Sequence, residues 1–205
     1  MEDGKVLIVN STSRSILHTL STHIAGVFSC AFSPDTALLA TASEDKTVKL
    51  WNVSTGAELF TLTGHASWVI GVVFTLDGKH VVSASKDGTA RVWDAASGSL
   101  VHTLSLPGEG SSVALSSCGT LLAVGCMEGM VALFDVSAGF TALPAFQAHT
   151  AEAGYWMRVN FSQTAGSKLL ATCSTKETDA KVWDLSNTAA PGLVWTVSGH
   201  KSSVT

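Results

Sequence analysis

The sequence predicts an all-β fold assembled from a repeated four-stranded antiparallel unit. Three observations predict it. Short runs rich in Val, Ile, Leu, Phe and Thr alternate with turn signals such as Ser33-Pro34-Asp35, Asp77-Gly78 and Asp87-Gly88. The runs return in the same order: His23 to Trp51 and His65 to Trp93 each span 28 residues, and Trp51 lies 42 residues before Trp93. The chain is 46% hydrophobic and only 14% charged, enough apolar material for a core and too little charge for disorder.

The first full unit covers residues 24–62, with β-type runs at 27–32, 38–43, 47–51 and 58–62. The second covers about 66–104, with runs at 69–74, 80–83, 89–93 and 99–104. A third, at about 111–144, keeps the rhythm but loses the polar landmarks. There Cys126 stands at the Ser43/Ser85 position, Glu128 at the Asp position and Phe134 at the Trp position, and no His aligns. A fourth, at about 153–198, runs from His149 through Ser174 and Glu177 to Trp183; it carries extra residues, which lengthen turns at little cost.

The ends fall inside units. Residues 3–9 match residues 87–93 position for position, giving a partial unit over 1–22, and residues 201–205 begin another. No linker or low-complexity segment divides the chain, so residues 1–205 read as a single domain. The expectation is a fragment, an incomplete gene model or a short isoform, with closure of a five-unit ring as the alternative.

Several function classes are disfavoured. Twelve basic residues are scattered and the net charge is −4, so nucleic acid is not an expected partner. No apolar segment approaches the roughly 18 residues of a membrane span. The acidic N-terminus lacks the basic region of a secretory signal, and Cys30, Cys118, Cys126 and Cys173 form no C-x-x-C pair. A cytoplasmic or nuclear location is expected. Pro107-Gly108-Glu109-Gly110 lacks the Lys-Ser/Thr of a phosphate loop and reads as a turn. No catalytic, cofactor-binding or metal site is predicted. His23, His65, His149 and His200 recur with the period and would be spread apart, whereas zinc needs ligands about 2.0–2.3 Å from one point.

Gly64-His65…Asp87…Trp93-Asp94 and His23…Asp45…Trp51-Asn52, supported by Phe134-Asp135 and Trp183-Asp184, resemble the WD-repeat family over essentially the whole chain. The resemblance implies a β-propeller of four complete four-stranded blades with partial blades at both ends, as an open or truncated ring. It also implies that His23, Ser43, Asp45 and Trp51, and again His65, Ser85, Asp87 and Trp93, form a buried hydrogen-bond network within each blade. A His-Ser-Asp set invites a hydrolase reading. Its recurrence at fixed spacing, interleaved with core strands, favours the structural role.

In such a family the loops before each first strand, and the residues before each turn acid, line one face near the channel. Counting back from Phe32, Phe74, Leu115 and Phe161 marks Trp68, Tyr155 and Glu109, together with Glu44, Lys86 and Lys176, as candidate protein-binding residues. The chain is therefore expected to be a non-enzymatic scaffold for other proteins or peptides, within a multiprotein complex or a longer chain. The alternatives are a peptide or histone-tail reader, or a substrate-recognition adaptor of a larger complex.

Overall fold

The computed structural model describes residues 4–150, 156–175 and 177–199. The chain divides into two compact units, Met1–Asp87 with Arg91–Val101 and Gly88–Ala90 with His102–Thr205. Every regular element among the described residues is a β-strand.

The strands form four four-stranded sheets and one two-stranded sheet, all of neighbours in sequence. The two-stranded sheet is β1 (Val6–Val9) with β2 (Ile16–Leu20). The first blade is β3 (Val27–Phe32), β4 (Leu38–Ser43), β5 (Val48–Asn52) and β6 (Glu58–Leu62). The second is β7 (Val69–Phe74), β8 (His80–Ser85), β9 (Thr89–Asp94) and β10 (Leu100–Ser105). The third is β11 (Gly110–Leu115), β12 (Leu121–Cys126), β13 (Met130–Asp135) and β14 (Thr141–Gln147). The fourth is β15 (Met157–Phe161), β16 (Leu169–Ser174), β17 (Ala180–Asp184) and β18 (Gly192–Val197).

β14 and β18 are outer strands that the apolar-run reading does not single out. β14 carries Pro144, which removes a backbone donor, and its ladder shifts register between Val131 and Leu133. An outer strand tolerates this because one of its edges has no ladder to supply.

In the first unit, Ala40, Ala42, Leu50 and Leu62 of the first blade cluster with Val69, Val72 and Phe74 of the second. The other face of the first blade, with Leu39 and Trp51, meets Ile8 and Leu20 of the two-stranded sheet. In the second unit, Ala123, Val131 and Leu133 of the third blade cluster with Met157, Val159 and Phe161 of the fourth. Neighbouring blades thus bury faces that a lone meander would leave wet. Phe74, Phe161 and Leu50 are core residues, as expected. Phe32, expected beside them, is 51% exposed, because no strand among those described covers β3 at that place.

The inner strands differ in one respect. β3, β7 and β11 each carry an extra residue against their partner: Val27 and Ser29 oppose Ser43 and Ala42, Val69 and Gly71 oppose Ser85 and Ala84, and Gly110 and Ser112 oppose Cys126 and Gly125. These are β-bulges at Phe28, Ile70 and Ser111. β15 pairs with β16 without a bulge, from Met157↔Ser174 to Phe161↔Leu170.

Candidate functional site

Each relay is built where the second and third strands of a blade face each other. In the first blade, Trp51 on β5 stands opposite Leu39 on β4, so its indole leans to the diagonal neighbour Thr41. Trp51 Nε1–H donates to Thr41 Oγ1 at 2.9 Å, His23 Nε2 lies 2.7 Å from the same oxygen, and His23 Nδ1 lies 2.7 Å from Asp45 Oδ2. The second blade repeats this: Trp93 Nε1 to Ser83 Oγ at 2.9 Å, His65 Nε2 to Ser83 Oγ at 2.8 Å, and His65 Nδ1 to Asp87 Oδ2 at 2.8 Å. The order fixes the protons. A carboxylate only accepts, so Nδ1 carries the hydrogen; Nε2 then accepts from the hydroxyl, whose oxygen accepts from the indole.

The hydroxyl between imidazole and indole is therefore Thr41 or Ser83, which corrects the assignment to Ser43 and Ser85. Strand geometry gives the reason. Ser43 lies on the same face as Thr41 but one step further from Trp51, beyond the reach of the indole. Ser43 and Ser85 instead hold the turns: Ser43 Oγ donates to the Gly26 carbonyl at 2.9 Å and accepts from Asp45 N–H at 3.1 Å, and Ser85 Oγ bonds Ser67 O and Asp87 N–H.

The fourth blade closes a relay of its own: His149 Nδ1 to Glu177 Oε2 at 2.7 Å, His149 Nε2 to Thr172 Oγ1 at 2.8 Å, and Trp183 Nε1 to Thr172 Oγ1 at 3.0 Å. Its turn is one residue longer and its acid one methylene longer. Burial opposes ionisation of Glu177, but hydrogen bonds from Thr150, His149 and Lys181 outweigh it and hold the carboxyl at about 2. The third blade fills the equivalent places with Val124 and Phe134, at 0% and 2% exposure. No orphan donor was expected there. An orphan acceptor remains, because Glu128 Oε2 is buried with no hydrogen-bond partner. Near this carboxylate, Cys126 is pushed up to about 12, chiefly by burial and then by the negative charge of Glu128.

These polar sets are embedded in the blades. His65 is held below its ordinary value, first by burial, against the opposing pull of Asp87. With the imidazole and hydroxyl of each set already bonded to each other and to Asp or Trp, neither is presented to a substrate. Among the described residues, no group of three His, Cys, Asp or Glu is placed to hold a metal ion, and no helix is long and apolar enough to cross a membrane.

The candidate contact residues lie where each inner strand begins. One backbone bond recurs in all four blades: Glu44 N–H to Gly26 O at 2.9 Å, Lys86 to Trp68 at 3.0 Å, Met127 to Glu109 at 2.8 Å, and Thr175 to Trp156 at 3.1 Å. In the fourth blade the counterpart of Trp68 is thus Trp156, and that of Lys86 is Thr175. Tyr155 and Lys176 are one place off this register, because β15 lacks the bulge that the count assumed, and both lie outside the described residues. The bulge residues Ile70 and Ser111 are buried, while Phe28 is half-buried.

Trp68 and Lys86 are brought together with a residue that the sequence reading had marked only by position. The indole of half-buried Trp68 stacks on Phe28, with centroids 5.6 Å apart at 29°, and Lys86 Nζ lies 4.9 Å from the Trp68 ring centroid. Phe28 comes from the bulge of β3, so the patch joins two blades. Glu44 is half-buried and Glu109 exposed, each at the equivalent place of its own blade.

Fold and site together define a repeat protein of four-stranded antiparallel blades, three of them locked by a carboxylate–imidazole–hydroxyl–indole relay. Residues 14–52 and 56–94 match the family model described as "WD domain, G-beta repeat". The chain belongs to the WD-repeat family. No curated protein matches the chain as a whole. Domains of this family are commonly protein-interaction scaffolds and are generally non-enzymatic.

Proposed function

We propose that the chain is a non-enzymatic platform that engages a partner protein or peptide through the Trp68–Phe28–Lys86 patch. The observation that carries this reading is the two-blade construction of the patch. Phe28 and Lys86 hold the Trp68 indole in place from either side, so an ordered aromatic is offered at small entropic cost. Glu44 and Glu109 are further contact candidates, each on its own blade. Membership of a larger complex and a cytoplasmic or nuclear setting go with this reading.

The experiment is quantitative affinity capture from cell extract with the wild-type chain, Trp68→Ala, and the surface control Leu100→Ser. The expected result is a set of proteins reduced by about tenfold or more with Trp68→Ala alone, which corresponds to a hot-spot loss of at least about 1.4 kcal/mol. An identical set for all three removes Trp68 as the contact.

One observation favours a reader of cationic peptides as the second reading: the Trp68 ring already holds an ammonium group, that of Lys86. A lysine-bearing ligand would have to displace it. Lys86→Ala should then tighten such a peptide, whereas a platform that uses Lys86 itself should bind its partner more weakly.

A further inference from the structure

β1 has an edge that its equivalents lack. Residues 4–9 match residues 88–93 in sequence, which places β1 as the third strand of a blade. The third strands β5, β13 and β17 pair on both sides. Among the described residues β1 pairs with β2 alone. One edge of β1 therefore presents unladdered backbone groups. Beside it lies a cleft of about 510 Å³, lined by Val6 and Leu7 of β1 and by Val27, Phe28 and Cys30 of β3.

We propose that this edge docks an extended strand of a partner polypeptide, antiparallel to β1, uncharged, with Ala- or Gly-sized side chains at alternate positions. The surface is additional to the Trp68 patch. The chemistry of the occupant follows from how the other blades fill the same place. In the first blade, Ala40 stands opposite Leu50 and Ala42 opposite Val48, and both alanines are fully buried in the cluster that contains Val69, Val72 and Phe74. In the second unit, Ala123 stands opposite Leu133 and Gly125 opposite Val131, in contact with the fourth blade. A Cβ built on Gly125 would already lie 3.1 Å from Val159 Cγ1, so large side chains do not fit there.

Val27, Cys30 and Phe32 stand 42 residues before Val69, Val72 and Phe74 and present the same face. Phe32 is 51% exposed and Cys30 is exposed. The incoming strand would place its small residues opposite Val6 and Ile8 and cover Cys30. β4, β12 and β16 contain no charged residue, which sets the expectation for the occupant. Backbone bonds to β1 would supply affinity, and the narrow gap to β3 would supply selection against bulk.

The probe is a synthetic peptide with the sequence of residues 36–45, added to the whole chain. Hydrogen exchange at residues 6–9 and the alkylation rate of Cys30 are read by mass spectrometry. Saturating peptide should slow both by about tenfold or more. A peptide bearing Ala40→Trp and Ala42→Trp should slow neither. Cys30→Trp in the chain should abolish the protection by the parent peptide while leaving the melting transition in place. No protection by the parent peptide, or equal protection by the tryptophan peptide, overturns the proposal. Protection already present without peptide also overturns it: loss on dilution assigns the edge to a second copy, and persistence on dilution assigns it to another segment of this chain.

Discussion

At the scale of single residues, the relay explains why one hydroxyl matters more than its neighbours. Thr41 Oγ1 accepts from the indole of Trp51 and meets His23 Nε2, both in a site sealed from water. Thr41→Val keeps the shape and removes the hydroxyl, leaving a buried indole N–H and an imidazole nitrogen without partners. The expected loss is about 1–3 kcal/mol in urea unfolding. Trp51→Phe should recover part of that loss in the double variant, as one donor is then absent. Val124 opposite Phe134 in the third blade is the natural version of that pairing. A second residue-scale prediction concerns Cys118. It stands where sister turns carry Asp35 and Asp77, whose carboxylates accept from Ser33 and Thr75. Hydrogen bonds from Ser116 and then Thr120 bring the Cys118 thiol down to about 7. Iodoacetamide should therefore label Cys118 with a pH midpoint near that value, while Cys126 stays unreacted in the folded chain. Ser116→Ala should move the midpoint upward; an unchanged midpoint would show that the turn does not stabilise the thiolate.

At the scale of elements, the third blade is joined to the fourth by hydroxyls as well as by apolar contact. Ser111 Oγ lies 2.7 Å from the Met157 carbonyl oxygen, and Ser112 Oγ accepts from Val159 N–H at 3.0 Å. This close approach depends on Gly125, where a Cβ would lie 2.8 Å from Ser112 Oγ and 3.2 Å from the Met157 carbonyl. Gly125→Ala should destabilise the second unit by about 1–3 kcal/mol through overpacking, with faster hydrogen exchange in β11 and β15. Exchange unchanged in both strands would mean that the joint is looser than the distances imply. These joints mark the limit of what was legible in the sequence. Strand runs such as Val27–Phe32, Leu38–Ser43 and Leu169–Ser174 can be read from composition, because alternation and turn residues are local signals. A bulge is not local: it is defined by two residues opposing one across a ladder, so its absence from β15 shifted the contact register from Trp156 to Tyr155. The hydroxyl of the relay was misplaced for a related reason. Thr41 and Ser43 share a face, and only the opposition of Trp51 to Leu39 decides between them. The stacking of Phe28 on Trp68 across blades has no sequence signature at all.

At the scale of the whole molecule, the two units should respond differently to acid. The second blade contains His65, whose value is lowered from the ordinary 6.5, mainly by burial. The unfolded chain takes up that proton first, so the contribution of His65 is fully present above about pH 6.5 and is lost as pH falls below it. Asp45, in the first blade, is opposed by burial but lowered by Thr47 and His23, so its contribution is present above its ordinary 3.8 and fades below. In the fourth blade Glu177, held at about 2 against an ordinary 4.5, contributes above pH 4.5 and loses that contribution between there and about 2. Loosening should therefore begin in the second blade between pH 7 and 5.5 and reach the fourth blade only below pH 4.5. Hydrogen exchange corrected for its intrinsic pH dependence would resolve this at pH 7, 5.5 and 4, with β8 and β9 losing protection before β16 and β17. Simultaneous loss in both units at pH 5.5 would count against it, since it would mean that His65 does not set the acid limit of its own blade.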